Sequence, residues 1–307
     1  QLDQVLAPLA QRRHRDRQHR QPVIQIFAEP LHADCSLKVH MGGCQDSHVY
    51  RDALATGIDV TLLQKPQQVG LHLQREVTNL VQKDATALFE TLHAPEADPG
   101  AKRLSALAGE LKIDILAGSM AFSGEDGRAV NRSMLFGPDG ARKAHYDKIH
   151  MFDVALGQGE VWSESTNYAP GSRAVIADAA GIKLGLTICY DVRFAYLYRA
   201  LALGGAEAIT VPAAFTRPTG KAHWEILLRA RAIETGSFIL APAQGGVHED
   251  GRKTWGRSMV VGPWGDVVGV LDHDEPGILH AEIDVEDVRS ARQRIPALKG
   301  GREFTGP

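Results

Sequence analysis

From Glu76 to the C-terminus, the chain alternates apolar runs with stretches whose apolar positions recur every three or four residues. That alternation predicts strands interleaved with helices. "AKRLSALAGEL" has helical spacing, and "DILAGSMAF" follows it as an apolar strand. "SMLFGPDGARKAHYDK" reads as two strands around a Pro-Asp-Gly turn, and "AVIADAAGIKLGLTICYD" as a second pair around Ala-Gly. "FAYLYRALALGG" is a helix with a Gly-Gly stop, and "EAITVPAAF" is again a strand. "KAHWEILLRARAIETG" is an amphipathic helix ending at Gly236, and "SFILAPAQ" is the next strand. "SMVVGPWGDVVGVL" forms two strands around Pro-Trp-Gly, and "GILHAEID" closes the sheet. Strands that are apolar along their whole length, flanked by helices, belong to sheets covered on both faces. One α/β domain over 76–307 is the economical reading.

Residues 1–75 do not share this regularity. They hold 11 of the 15 Gln and 6 of the 13 His, and their charge is 9 basic minus 7 acidic, against 25 minus 30 for the rest. Only short apolar pieces such as "PVIQIF" interrupt the polar text. This stretch is expected to be an atypical N-terminal segment, non-native or frame-shifted.

Composition narrows the function classes. An apolar fraction of 44% can fill a large core, and a net charge of −3 gives no overall basic field for nucleic acid or an anionic membrane. No apolar stretch is long enough to span a bilayer, and the basic N-terminus lacks the apolar core of a secretory signal. The three cysteines do not suggest a disulfide framework, so a cytoplasmic location is expected. Cys35 and Cys44 are spaced poorly for zinc and are assigned no function.

The chemistry centres on Cys189, which follows an apolar strand and precedes a helix. A strand end faces a crevice, and a helix N-terminus lowers a thiol pKa and offers N–H groups to an oxyanion. By position alone, however, a buried structural cysteine is the commoner outcome. Its polar company changes the picture. "HYDKIHMFD" sets Lys148 after a strand among His145, Tyr146, Asp147, His150 and Asp153. A Cys–His dyad with His150 or His223 as base remains open on spacing alone.

The segments "KIHMFDV", "CYDVRF", "PAAFTRPTGKAHWEILLRARAIE" and "GRKTWGRSMVVGPWGDV" resemble the nitrilase superfamily of carbon–nitrogen hydrolases, as does the closing "ARQRIPALKGGREF". The likeness covers about 76–307 and is greatest to the Nit-type amidases of the deaminated-glutathione branch. It implies a four-layer αββα sandwich and a homodimer or larger homo-oligomer, with no metal or organic cofactor. The partner it implies is a small amide substrate, with neither nucleic acid nor membrane.

The resemblance also implies a Glu–Lys–Cys triad with a supporting glutamate. The nucleophile falls on Cys189 and the lysine on Lys148, 41 residues earlier. The first glutamate falls on Glu76, a further 72 residues upstream, although Arg75 stands where that motif has proline. The supporting glutamate falls on Glu164 in "WSESTNYAPG". Tyr146, Tyr190, Phe215 and Thr216 are the expected substrate-side residues. Asp191 and Arg193 are expected to pair beside the nucleophile, and Trp224 and Leu228 to be core.

Each role has a physical reason. A thiol attacks an amide carbon only once deprotonated, and a carboxylate in a closed pocket suits the base. Lys148 Nζ and the Tyr190 N–H would hold the oxyanion, at about 3–4 kcal/mol per donor. The implied course is a Cys189 thioester, loss of ammonia and hydrolysis to the acid. An ω-amidase, an N-carbamoyl amidohydrolase, or an inactive scaffold if the N-terminal region is lost, are the alternatives.

Overall fold

The computed structural model of the protein describes residues 26–30, 36–43, 94–157, 160–248, 251–273 and 277–306. The first predicted helix is α1, Pro99–Leu111, starting two residues before the apolar pattern. Asp98 caps it, accepting from the Ala101 N–H at 2.8 Å, and Pro99 occupies the first turn, where no N–H is needed. The next helices are α2 (Ala195–Leu203), α3 (Arg217–Thr235) and α4 (Val285–Arg294). Helix α3 stops where Gly236 adopts left-handed φ 55°, as its sequence predicts. No described helix is long and apolar enough to cross a membrane.

Among the described residues, two six-stranded sheets form the middle of the fold. The first comprises β1 (Ile26–Pro30), β2 (Ser36–Gly43), β3 (Asp114–Ser123), β4 (Ala129–Phe136), β5 (Arg142–Asp147) and β16 (Gly277–Asp284). Its order is β16-β2-β1-β3-β4-β5, with every pair antiparallel. A small hairpin, β6 (Asp153–Gly157) and β7 (Glu160–Ser163), follows β5.

The second large sheet comprises β8 (Val175–Ala179), β9 (Ile182–Leu186), β10 (Ala208–Thr210), β11 (Phe238–Ala241), β14 (Met259–Val261) and β15 (Val267–Val270). Strands β9, β10 and β11 run parallel at its centre, with antiparallel partners outside them. The β8–β9 turn holds Ala180 at φ 48° and Gly181 at φ 85°, the paired positive angles a two-residue hairpin requires. The short ribbon β12 (Gly245–Val247) and β13 (Lys253–Trp255) stands apart from both large sheets.

Among the described residues, three apolar clusters build the layers. Leu116, Leu135 and Tyr146 of the first sheet pack against Leu184, Leu186, Leu240 and Val260 of the second. The outer face of the second sheet, with Ile209, Ile239 and Val261, is covered by Leu201, Trp224 and Leu228 of α2 and α3. The outer face of the first, with Ile115, Met134 and Phe136, is covered by Leu104, Leu107 and Ala108 of α1. The result is the expected αββα sandwich. Neighbouring residues such as Ile239 and Leu240 serve different clusters, which is why these strands are apolar throughout.

Several expectations change. "GILHAEID" does not close the sheet of the strands before it; β16 crosses to the edge of the first sheet and pairs along all eight residues with β2. "EAITVPAAF" yields only three strand residues, Ala208–Thr210, before the chain turns towards α3. Helix α4 and the β6–β7 hairpin were not foreseen. Of the segment 1–75, the described residues 26–30 and 36–43 form β1 and β2 in the interior of the first sheet.

Candidate active site

Strand β9 delivers the thiol. It ends at Leu186, and the chain then enters a five-residue 3-10 turn, Cys189–Arg193, before α2 begins at Ala195. The helix expected on "FAYLYRALALGG" is thus found where its sequence places it, and the 3-10 turn separates it from the cysteine. Cys189 has φ 50°, a left-handed conformation costly for a side chain with a Cβ and tolerated where surroundings over-determine it. The Cys189 N–H donates to the Pro212 carbonyl at 2.9 Å, tying the turn to the chain beyond β10.

Strand β5 delivers the ammonium. Lys148 follows its last residue, and its backbone is pinned from both sides. Its N–H donates to the Asn131 carbonyl at 2.9 Å, and its carbonyl accepts from the Gly171 N–H at 2.8 Å. The side chain is 3% exposed and its Nζ is bonded to Glu164 Oε2. Glu164 stands at the foot of the β6–β7 hairpin, where the same oxygen accepts the Phe152 N–H at 2.7 Å. A buried ammonium on a carboxylate so held is a fixed charge that solvent does not screen.

These groups meet at the thiol. Burial pushes the Cys189 pKa up, the nearby Lys148 ammonium and a backbone hydrogen bond from Ala214 pull it down, and the Glu164 and Asp191 carboxylates push it up again. The net direction is upward, so at neutral pH the resting group is the thiol. Such a cysteine needs a base to become a nucleophile.

The sequence-derived residues thus divide. Cys189, Lys148 and Glu164 come together, whereas Glu76 lies outside the described residues. Tyr190 is half-buried, its ring edge-on to Phe152 at 5.0 Å and to Phe194 at 5.4 Å. Phe215 and Thr216 are buried, Phe215 against Trp224 at 4.8 Å and Thr216 Oγ1 with Thr219 Oγ1 at 2.8 Å. Tyr146 is fully buried, and its hydroxyl donates to Asp191 Oδ2 at 2.7 Å. Burial and that neighbouring carboxylate hold the phenol firmly protonated.

Asp191 and Arg193 do not pair with each other. Asp191 faces Tyr146 and His150, while the Arg193 guanidinium lies 5.6 Å from the Phe215 ring centre and 5.8 Å from that of Tyr190, with Nη2 at 3.2 Å from His223 Nδ1. Two residues apart in the turn, the two side chains find different partners.

The Cys–His alternative loses its candidates. His150 Nδ1 lies 2.6 Å from Asp191 Oδ1, and its Nε2 is bonded to the Tyr196 hydroxyl. His223 is exposed on α3 and faces Arg193. Among the described residues no group of three or more His, Cys, Asp or Glu is placed to hold a metal ion. The role of Asp191 went unread in the sequence, where "CYD" gave no sign that the carboxylate turns back to the lysine segment.

The sequence matches the carbon–nitrogen hydrolase family over residues 80–293. It is 39% identical over 252 residues to a deaminated glutathione amidase of Synechocystis sp., covering 79% of this chain and 88% of that protein. It is 48% identical over 172 residues to a protein of the same name from Yersinia enterocolitica, covering 55% and 59%. Among solved structures, the NitFhit protein of C. elegans superposes with a TM-score of 0.61 at 36% identity, over 65% of this chain and 49% of that one. An amidase mutant from Nesterenkonia sp. AN1, with the acetamide moiety of fluoroacetamide added covalently at its active-site cysteine, superposes with a TM-score of 0.57 at 27% identity, over 70% and 74%.

Proposed function

The chain belongs to the carbon–nitrogen hydrolase family, and from that premise we propose that it hydrolyses a small carboxylic-acid amide through a Cys189 thioester. It is an amidase acting on carbon–nitrogen bonds other than peptide bonds. The observation that carries the site assignment is the Lys148–Glu164 pair set against a raised-pKa thiol at a strained strand-end turn.

Cys189 Sγ attacks the amide carbon as its proton passes to a carboxylate base, for which Glu76 is our assignment. The developing oxyanion is met by Lys148 Nζ and the Tyr190 N–H, which as an early amide of the 3-10 turn has no partner within it. Ammonia leaves with the transferred proton, water attacks the thioester, and the acid departs. Glu164 holds the ammonium in place throughout.

The substrate we favour carries a carboxylate, as deaminated glutathione does. Arg193 supports this: it is half-buried beside the nucleophile, its guanidinium lies near two aromatic rings, and its partner at 3.2 Å is a histidine rather than an acid. A guanidinium so placed suits a carboxylate that arrives with the substrate. We assign the chain to a homodimer that covers Tyr196, Leu203, Ile226 and Ile233, each more than half exposed on α2 and α3. We assign it to the cytoplasm because the mechanism needs a reduced thiol. Ammonia release from a panel of monoamides of dicarboxylic acids, deaminated glutathione included, tests the reading. Equal release by wild type and Cys189→Ala would remove Cys189 from its role.

A further inference from the structure

Asp191 has no exposed surface, and its carboxylate has no place in the chemistry above. Its two oxygens gather donors from two separate segments. From the nucleophile's own turn, the Ile188 N–H reaches Oδ2 at 2.9 Å. From the segment bearing Lys148, the Tyr146 hydroxyl donates to Oδ2 at 2.7 Å and the His150 N–H to Oδ1 at 3.1 Å, with His150 Nδ1 at 2.6 Å from Oδ1. Lys148 lies midway between Tyr146 and His150, so both its flanks end on one carboxylate. His150 is itself held from outside, stacked on Phe194 at 3.6 Å between ring centres and bonded to the Tyr196 hydroxyl. A buried carboxylate is tolerable only when donors replace its water, and here those donors also join two parts of the site.

We propose that Asp191 is a positioning residue for amide hydrolysis, setting where the Lys148 ammonium stands relative to the Cys189 thiol, with Tyr146 and His150 as its anchors. The inference rests on the amidase reading. Ammonium and thiol come from different sheets, and Asp191 bridges the two segments within two residues of the nucleophile. A misplacement of about 1 Å between reacting groups can cost about 10²-fold in rate.

The test uses the full chain with deaminated glutathione as substrate and iodoacetamide as thiol probe. Asp191→Asn should lower kcat about 10²-fold with KM little changed, because orientation rather than ground-state binding is lost. His150→Asn, which keeps a donor near Oδ1, should retain most of the activity that His150→Leu loses. Equal kcat for those two variants, or an undiminished Asp191→Asn, overturns the inference.

The probe gives a readout that does not need hydrolysis. Tyr146→Phe leaves the Asp191 charge in place, yet should slow Cys189 alkylation towards the Lys148→Met rate, since a displaced ammonium no longer favours the thiolate. In the Lys148→Met background the same substitution should change nothing further. An unchanged alkylation rate in Tyr146→Phe, or an equal slowing in both backgrounds, assigns Asp191 to the fold alone. A wild type that hydrolyses no amide overturns the amidase reading instead, and the alkylation rates still decide the role of Asp191.

Discussion

The two sheets supply the site in different ways. The second offers Cys189 beyond the C-terminal end of a parallel strand, in a turn forced to φ 50°. The first offers Lys148 beyond the end of an antiparallel hairpin, with its backbone pinned on both sides and its side chain on Glu164. Parallel strands end together at one edge, so a connection there can present a reactive group to a crevice. Antiparallel hairpins return on themselves and suit a group that must not move. Strain is concentrated at the proposed nucleophile, Cys189, and rigidity at the Lys148 charge.

Removing the group on the second sheet should have the largest effect: Cys189→Ala reduces ammonia release to background while leaving the circular dichroism spectrum unchanged. The support beneath that group can be weakened next. Trp224 is buried on α3, packs on Phe215, and donates from Nε1 to the Arg257 carbonyl at 2.9 Å. Trp224→Ala should lower unfolding free energy by about 3–5 kcal/mol in urea titration. Loss of less than about 1 kcal/mol would show that α3 does not hold the second sheet.

On the first sheet, Lys148→Met should lower kcat by about 10²–10³-fold, the loss typical of one oxyanion donor, with KM nearly unchanged. A loss confined to KM would make Lys148 a binding group. The smallest effect is on the thiol's titration. Because burial outweighs the ammonium, alkylation of Cys189 by iodoacetamide should rise with pH through a midpoint above the usual thiol value of about 8.5. The signs differ between partners. Lys148→Met removes a cation that favours the thiolate and moves the midpoint higher; Glu164→Gln removes a repelling anion and moves it lower. A wild-type midpoint below the usual thiol range would point to a pre-formed thiolate and break the contrast between a protonated nucleophile and a fixed charge.

Legibility followed locality. The hairpins around Pro138 and Gly181, helix α3 and its Gly236 stop could be read because a few adjacent residues encode each. The crossing of β16 to the other sheet could not, since "GILHAEID" has the same apolar pattern whichever edge it joins. Helix α4, strongly polar with buried Val285, Val288 and Ala291, has too narrow an apolar stripe to stand out. At the candidate site, that Lys148 would lie near Cys189 was legible through the motifs that carry the family resemblance. That His150 turns its ring nitrogens to Asp191 and Tyr196 was not, because a histidine's partners depend on segments more than 40 residues away.

The sequence by itself determined most of the strands and helices after Glu76 and an α/β class with sheets covered on both faces, because periodicity is a property of neighbouring residues; the αββα layering and the candidate site residues were legible only through the family resemblance. Only the tertiary structure decided that Asp191 faces Tyr146 and His150 while Arg193 faces Phe215 and Tyr190. Two residues apart in a 3-10 turn, they diverge because the turn's direction is fixed by the Pro212 carbonyl and by donors from another sheet. Such bonds have no local signature, and they exist only once both sheets are packed.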